Sequence, residues 1–157
     1  MKKILFLDRD GVINKKAPEH DYITRPENFI FNQEIFILLR EYLNAGFEII
    51  IITNQRGIAR NMMSEDDFTD ITDFMLNVLK AHDIVVLDVY HCPHENNTCQ
   101  CRKPRPGMLE MACKAYEIDL VSSILLSDSL VDVEMGKAFG IGKNILVESD
   151  TLKIIEL

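Results

Sequence analysis

Five short apolar runs alternate with amphipathic segments along this chain of 157 residues. Such runs, with few polar residues, are typical of strands that are buried on both faces of a sheet. They cover residues 4–7, 47–53, 84–90, 124–126 and 144–147. Buried strands that alternate with helices predict an α/β fold with a doubly wound parallel sheet.

Apolar residues recur at helical spacing between these runs. The predicted helices cover residues 33–44, 65–82, 107–117 and 130–139. Gly46 is well placed to end the first helix, and Ser64 with Asp67 predicts a capping box at the start of the second. The remaining segments are a polar flap at 15–32, a loop at 92–106 and a tail from 151, where no strand is predicted.

The composition is 47% hydrophobic and 27% charged, which fits one soluble globular domain over residues 1–157. The net charge of −8 argues against binding to nucleic acid or to an anionic membrane. The first apolar run is too short for a signal peptide or a membrane span, so we expect a cytoplasmic location. A monomer is the default expectation.

A charged motif, Asp8-Arg9-Asp10-Gly11, follows the first apolar run. Residues i and i+2 of an extended segment share a face, so Asp8 and Asp10 are predicted to enter one site while Arg9 points away. Two adjacent carboxylates repel each other, and a divalent cation or a shared proton would relieve that repulsion. An ordinary Asp-Gly turn after a strand is the simpler alternative.

Further polar residues follow other predicted strands. Thr53 ends the second run, and Asp128 comes directly after the fourth. Ligands of open parallel sheets bind at the carboxyl ends of the strands, so these residues are expected to meet Asp8 and Asp10 at one edge.

Three of the four cysteines lie close together with a histidine, as Cys92, His94, Cys99 and Cys101. Three thiols and one imidazole at short spacing predict a tetrahedral zinc site. A complete ligand set leaves no open position, so this zinc is expected to be structural. Cys113 lies apart and is interpreted as a small core residue.

Taken in order, Asp8 with Asp10, Thr53, Lys103 and Asp128 resemble the four motifs of the haloacid dehalogenase superfamily of phosphohydrolases. The resemblance implies that Asp8 attacks phosphorus and forms an aspartyl-phosphate, while Asp10 acts as general acid and base. It also implies Mg²⁺ held by Asp8, the main-chain carbonyl of Asp10, and Asp128. Thr53 and Lys103 would then hold the phosphoryl oxygens.

The sequence alone leaves two details of the fourth motif open. Asp132 either orients Lys103 or a metal-bound water, or is only an early-helix carboxylate favoured by the macrodipole. Ser127 stands where the superfamily usually has Gly, and Ser129 where a narrower group often has Lys.

The zinc loop and the stretch from Thr53 to Arg60 resemble one narrower group within this superfamily, the D-glycero-D-manno-heptose 1,7-bisphosphate phosphatases. The histidinol-phosphate phosphatase domain is a close relative with a similar loop. The resemblance implies a small phosphorylated metabolite as substrate, a sugar bisphosphate first and histidinol phosphate second. The implied substrate-binding residues are Asn14, Asn54, Gln55, Arg56 and Arg102.

Three other functions compete with a metabolite phosphatase. A phosphoreceiver module shares the sheet and the acceptor Asp, although its acceptor usually follows the third strand. A zinc-stabilised binding domain with an inactive site would not need the full set of motif residues. A nucleic-acid 3′-phosphatase is disfavoured by the acidic charge.

Overall fold

The computed structural model describes residues 1–157 and contains one six-stranded sheet. Its main elements are β1 (Lys3–Leu7), α1 (Glu34–Asn44), β2 (Phe47–Asn54), α2 (Glu65–Ala81), β3 (Asp88–Cys92), α3 (Gly107–Ala115), β4 (Ile124–Ser127), α4 (Leu130–Phe139), β5 (Lys143–Val147) and β6 (Ile154–Ile155). The strand order is β3-β2-β1-β4-β5-β6, and only β6 is antiparallel to its neighbour. The predicted doubly wound α/β fold is confirmed.

The central strand β1 contributes to a separate apolar core on each face of the sheet. Leu5 and Leu7 pack in the core that includes α1 and α2, whereas Ile4 and Phe6 pack with α3 and α4. Successive side chains of a strand point to opposite faces, so a strand covered on both faces must be apolar throughout. In β1 every residue after Lys3 is apolar, and the polar motif begins at Asp8, directly after the strand.

The helix boundaries follow the predicted capping signals. The Asp67 N–H donates to Ser64 Oγ at 3.0 Å, and the Ser64 N–H donates to the Asp67 carboxylate at 2.8 Å, which completes the capping box of α2. Gly46 follows α1 with φ +87°, a conformation that costs little without a Cβ. None of the helices has the length and apolar character needed to span a bilayer.

The third strand begins later than predicted, at Asp88 instead of Ile84. The Ile84 N–H bonds to the carbonyl of Leu79 at the end of α2, and the Ile84 side chain is buried in the core. Ile84 is therefore apolar because it is buried in the segment that follows α2. Hydrophobic periodicity alone does not distinguish such a buried residue from the start of a strand.

The tail forms a strand that was not predicted. β6 pairs with β5, and its side chains are exposed, 69% for Ile154 and 42% for Ile155. A two-residue edge strand without a buried face leaves no periodic signal in a sequence.

The flap of residues 15–32 is polar in composition, but three of its apolar residues are buried. It contains a 3₁₀ helix at Pro26–Asn28, and Ile23, Phe29 and Phe31 are buried in the larger core. The flap is therefore anchored beside the carboxyl end of β1.

Candidate active site

A cleft of about 210 Å³ lies at the carboxyl ends of β1, β2 and β4. No apolar side chain lines it. The lining residues are Asp8, Asp10, Lys16, Asn54, Lys103, Asp128, Ser129 and Asp132. The structure thus brings Asp8, Asp10 and Asp128 together at the edge where the sequence placed them, with Lys103 beside them, whereas Thr53 does not line this cleft.

Lys103 lies between two carboxylates at the base of the cleft. Its Nζ is 3.0 Å from Asp8 Oδ1 and 2.7 Å from Asp132 Oδ2, and it also donates to the carbonyl of Ile52 at 3.2 Å. Burial alone would lower the pKa of Lys103, but Asp8 and Asp132 raise it above its usual value. Lys103 is therefore a fixed cation beside Asp8.

Burial raises the pKa of Asp8 to about 7, although the Lys103 ammonium opposes this shift. Nearby carboxylates, first that of Asp132 and then that of Asp128, raise the pKa further. A cation in the cleft would counter these effects and return Asp8 to the ionised form that can attack phosphorus.

The cleft has the donor chemistry that such a cation needs. Asp8 and Asp128 offer carboxylate oxygens, and Asp10 offers its main-chain carbonyl, all of them hard ligands that suit Mg²⁺. The Lys16 ammonium lies 2.7 Å from Asp128 Oδ2, so the Asp128 carboxylate already stabilises a positive charge. The residues present therefore fit Mg²⁺.

Asp10 is held by the side chains of three residues. Arg9 donates to Oδ1 from Nε at 3.2 Å and Nη2 at 3.1 Å, Asn14 Nδ2 donates to Oδ1 at 2.9 Å, and Gln55 Nε2 donates to Oδ2 at 3.2 Å. Burial would raise the pKa of Asp10, but Arg9 and these hydrogen bonds bring it below its usual value. Asp10 is thus oriented and ionised.

The prediction that Arg9 points away from the site is wrong. Its side chain is 1% exposed and bends back to Asp10, with the guanidinium carbon 5.8 Å and 5.9 Å from the ring centroids of Phe29 and Phe68. An arginine beside a strand end is usually solvated, so the sequence carried no signal for this buried role.

The end of β2 and the residue that follows it support the cleft. Asn54 binds the backbone of Lys103 twice, accepting its N–H at 3.0 Å and donating to its carbonyl at 3.3 Å. Thr53 Oγ1 accepts a hydrogen bond from Gln55 Nε2 at 2.8 Å. The side chains of Asn14 and Gln55 are buried against Asp10, so they orient a motif residue, and their contact with a substrate stays a prediction.

The Ser127 hydroxyl holds the carboxylate of Asp132 in the fourth motif. It donates to Asp132 Oδ2 at 2.8 Å and accepts the Ser129 N–H at 3.1 Å. Asp132 in turn binds Lys103. This geometry favours the orienting role of Asp132 over a purely helix-stabilising one.

A second polar cleft, of about 300 Å³, adjoins the first through Lys103. Its lining residues are Asn96, Asn97, Arg102, Lys103, Pro104 and Arg105. Nη1 of Arg102 is buried and has no hydrogen-bond partner. Arg102 as a whole is partly exposed, and together with Lys103 and Arg105 it makes this cleft suited to an anion.

Arg56 does not line either cleft, and its contact with a substrate stays a prediction. Its Nε donates to the hydroxyl of Tyr22 at 3.3 Å, and its Nη1 lies 3.6 Å from Glu95 Oε1. Arg60 binds the other oxygen of Glu95 at 2.8 Å and lowers the pKa of that carboxyl to about 2. These contacts tie the flap, the segment after β2 and the cysteine-containing loop together.

The predicted zinc ligands converge. The donor atoms of Cys92, His94, Cys99 and Cys101 all lie within 4.8 Å of one another. Sγ of Cys92 is 3.1 Å from that of Cys101 and 3.5 Å from that of Cys99. Zn–S bonds of about 2.3 Å in a tetrahedron place sulfurs about 3.8 Å apart, so a small expansion accommodates the ion.

The surroundings of these thiols also suit a cation. Burial and the neighbouring thiols raise the pKa of Cys101 to about 12. Several thiolates can therefore form in this cluster only if a cation lies among them. The Arg102 N–H donates to Cys99 Sγ at 3.3 Å, which links the cluster to the second cleft. His91 lies outside the cluster, with Nε2 2.9 Å from the Glu65 carboxylate.

Comparisons with known proteins agree with this site. The family model described as polynucleotide kinase 3 phosphatase matches residues 3–131. A D-glycero-alpha-D-manno-heptose-1,7-bisphosphate 7-phosphatase of Photorhabdus laumondii is 43% identical over 94% of this chain and 83% of its own length. The corresponding beta-anomer phosphatase of Haemophilus influenzae is 36% identical over 95% of this chain and 83% of its own length.

Among solved structures, the D,D-heptose 1.7-bisphosphate phosphatase of B. bronchiseptica, complexed with magnesium and phosphate, superposes with a TM-score of 0.84. It is 29% identical, and the match covers 95% of this chain and 83% of that one. Sequence and fold thus agree over nearly the whole chain, and we conclude that it belongs to the haloacid dehalogenase-type phosphatase family that includes the heptose-1,7-bisphosphate 7-phosphatases.

Proposed function

We propose that this protein hydrolyses a phosphate monoester of D-glycero-D-manno-heptose 1,7-bisphosphate, releasing the 7-phosphate and leaving the 1-phosphate. The observation that carries the proposal is the Asp8 carboxylate, 3.0 Å from a buried lysine in an entirely polar cleft. The curated relatives add the substrate class.

Asp8 is the nucleophile in this mechanism. Its carboxylate attacks phosphorus and forms an aspartyl-phosphate as the bond to the sugar oxygen breaks. Lys103 contacts Asp8 and would hold the phosphoryl oxygens as negative charge shifts onto them, together with the Thr53 hydroxyl. Asp132 keeps the Lys103 ammonium in place.

Asp10 moves the protons. A bound phosphate places negative charge nearby and raises the pKa of a neighbouring carboxyl, so Asp10 can carry the proton that the leaving oxygen takes. It then accepts a proton from the water that hydrolyses the aspartyl-phosphate. The Arg9, Asn14 and Gln55 contacts hold its carboxylate during both transfers.

Magnesium would be held by Asp8, the carbonyl of Asp10, and Asp128. When bound, Mg²⁺ neutralises charge on the carboxylate and on the phosphate that approaches it. The zinc ion that we propose for Cys92, His94, Cys99 and Cys101 has a structural role, because it would order the loop that precedes Arg102 and Lys103.

The second phosphate of a bisphosphate has a candidate partner in Arg102. Arg102 lines the adjoining polar cleft together with Lys103 and Arg105, and these cations suit an anion that is bound but not cleaved. Histidinol phosphate instead carries a cationic amine, which these side chains would repel. We favour the alpha anomer, because the relative named for it is the more similar of the two described above.

Arg102→Ala is expected to lower kcat/KM for the bisphosphate about 10- to 100-fold, because a charge-assisted hydrogen bond contributes about 1.5–3 kcal/mol. Its effect on histidinol phosphate should be smaller. Steady-state phosphate release with Mg²⁺ present, measured for both heptose anomers and histidinol phosphate, checks this. Arg40→Ala is the matched control, because Arg40 is exposed on α1.

A parent protein that prefers histidinol phosphate, or an unrelated monophosphate, would contradict the substrate proposal and leave the phosphatase chemistry standing. An equal loss on every substrate would place Arg102 at the reacting phosphate.

Asp10→Asn is expected to lower kcat about 10²–10⁴-fold, the usual contribution of general acid–base catalysis. With a good leaving group the first step needs no acid, so phosphoenzyme should accumulate and be detectable by mass spectrometry. Asp70→Asn, on the exposed surface of α2, should behave like the parent. Rapid turnover by Asp10→Asn without phosphoenzyme would exclude the role given to Asp10.

A second candidate substrate is a nucleic-acid 3′-phosphate, which the description of the matching family model favours. The net charge of −8 opposes it, since nucleic-acid affinity depends on phosphate neutralisation by cations. An oligonucleotide with a 3′-phosphate belongs in the same assay. Its hydrolysis at a kcat/KM above that of the heptose substrate would replace the sugar proposal.

A further inference from the structure

The turn between β5 and β6 contacts both sides of the candidate magnesium site. The Ser149 hydroxyl donates to Asp128 Oδ2 at 2.5 Å. The Asp150 N–H donates to the carbonyl of Gly11 at 2.9 Å, and its carboxylate accepts the Lys16 N–H at 3.1 Å. The turn therefore joins the end of β4 to the motif after β1.

This turn is fixed by its own hydrogen bonds and by the core. The Glu148 N–H bonds to the Lys153 carbonyl at 2.7 Å, and the Leu152 N–H bonds to the Glu148 carbonyl at 3.1 Å. Leu152 is 8% exposed and packs in the larger core, although its φ of +60° is unfavourable for a residue with a Cβ. Such a conformation persists only where the surrounding structure imposes it.

Space around Asp128 is tightly limited. A Cβ at Gly11 would lie 2.2 Å from Asp128 Oδ2, and the Asp128 side chain is 1% exposed. Oδ2 contacts Lys16 Nζ from the flap and Ser149 Oγ from the turn. Ser149 is the uncharged donor of this pair, so its contact does not compete electrostatically with a metal cation.

We infer that Ser149 is a positioning residue that orients Asp128 for Mg²⁺. Partners that hydrogen-bond to a metal-ligating carboxylate fix its orientation, and their loss typically weakens metal binding. The inference rests on the magnesium site of the proposed function. It gives the turn, and not only the strand ends, a part in the active site.

The test is metal binding by the substrate-free protein, with Mn²⁺ followed by EPR and Mg²⁺ as the competitor. Ser149→Ala should weaken Mg²⁺ binding about 10-fold, as losses of such supporting contacts typically do. Ser149→Thr keeps a hydroxyl and should restore most of the affinity. Ser122→Ala is the matched control, because Ser122 is exposed and does not line the cleft.

In steady-state assays the Mg²⁺ concentration for half-maximal activity should rise with Ser149→Ala, while kcat at saturating Mg²⁺ changes far less. Thermal melts should be close to that of the parent for both variants. Unchanged metal affinity in Ser149→Ala, or equal weakening by Ser149→Thr, would overturn the inference. Failure of the parent itself to bind Mg²⁺ would overturn the magnesium site together with it.

Discussion

Asp8→Asn should reduce turnover by more than about 10⁴-fold, because removal of a covalent nucleophile leaves only binding and electrostatic effects. The amide has nearly the same shape as the carboxylate. Lys103 keeps its contacts with Asp132 and Ile52, so the cleft should retain its structure. Rates of phosphate release, with thermal denaturation of the same samples, provide the measurement.

Asp73→Asn is the matched control, since Asp73 is exposed on α2 and the same chemical change is made there. It should keep parental kcat and stability. Parent protein quenched during turnover should carry a phosphate on Asp8, and the Asp8→Asn variant should carry none. Appreciable steady-state hydrolysis by the variant would eliminate the covalent mechanism.

Cys99→Ala should abolish zinc binding and lower the thermal midpoint. Freshly purified parent protein should contain one zinc ion per chain, measured by atomic emission, and the variant should contain almost none. Structural zinc contributes about 10–16 kcal/mol of binding free energy in zinc-finger peptides. Here most of the fold lies outside the loop, so we expect a loss of about 3 kcal/mol, or about 6–12 °C in a domain of this size.

Activity should also fall in Cys99→Ala, because Arg102 and Lys103 directly follow the cluster and the Arg102 N–H bonds to Cys99 Sγ. Cys113→Ala is the control, since Cys113 lies on α3 away from the cluster. Parent protein purified without chelators and free of zinc would refute the metal assignment. A stable, zinc-containing Cys99→Ala variant would exclude Cys99 as a ligand.

Sequence patterns predicted the strands and helices whose buried residues recur at a regular spacing. Both faces of β1 and β2 are covered, and α4 has the predicted bounds. The pattern failed at Ile84, which is buried by the end of a helix, and at β6, which has no buried face. Periodicity reports burial, and it identifies a strand only when burial and strand pairing coincide.

The residues of the site also divide into those that the sequence predicted and those that it did not. Asp8, Asp10 and Asp128 were predictable because parallel strands bring their carboxyl ends to one edge. The side chains that hold Asp10 and Asp128 were not, because Arg9 and Ser149 act through contacts whose partners depend on χ angles and on neighbouring loops. The contacts of Arg56 with Tyr22 and Glu95 were likewise not predicted, and its contact with a substrate stays a prediction.

The absence of apolar side chains from the 210 Å³ cleft also determines what a competitive inhibitor must look like. Such a molecule gains little from desolvating hydrocarbon surface and must obtain its affinity from charge and hydrogen-bond geometry. Hydrophobic fragments should therefore fail against this cleft. Nonhydrolysable phosphonates that match its cations are the appropriate starting compounds, and their potency should fall as ionic strength rises.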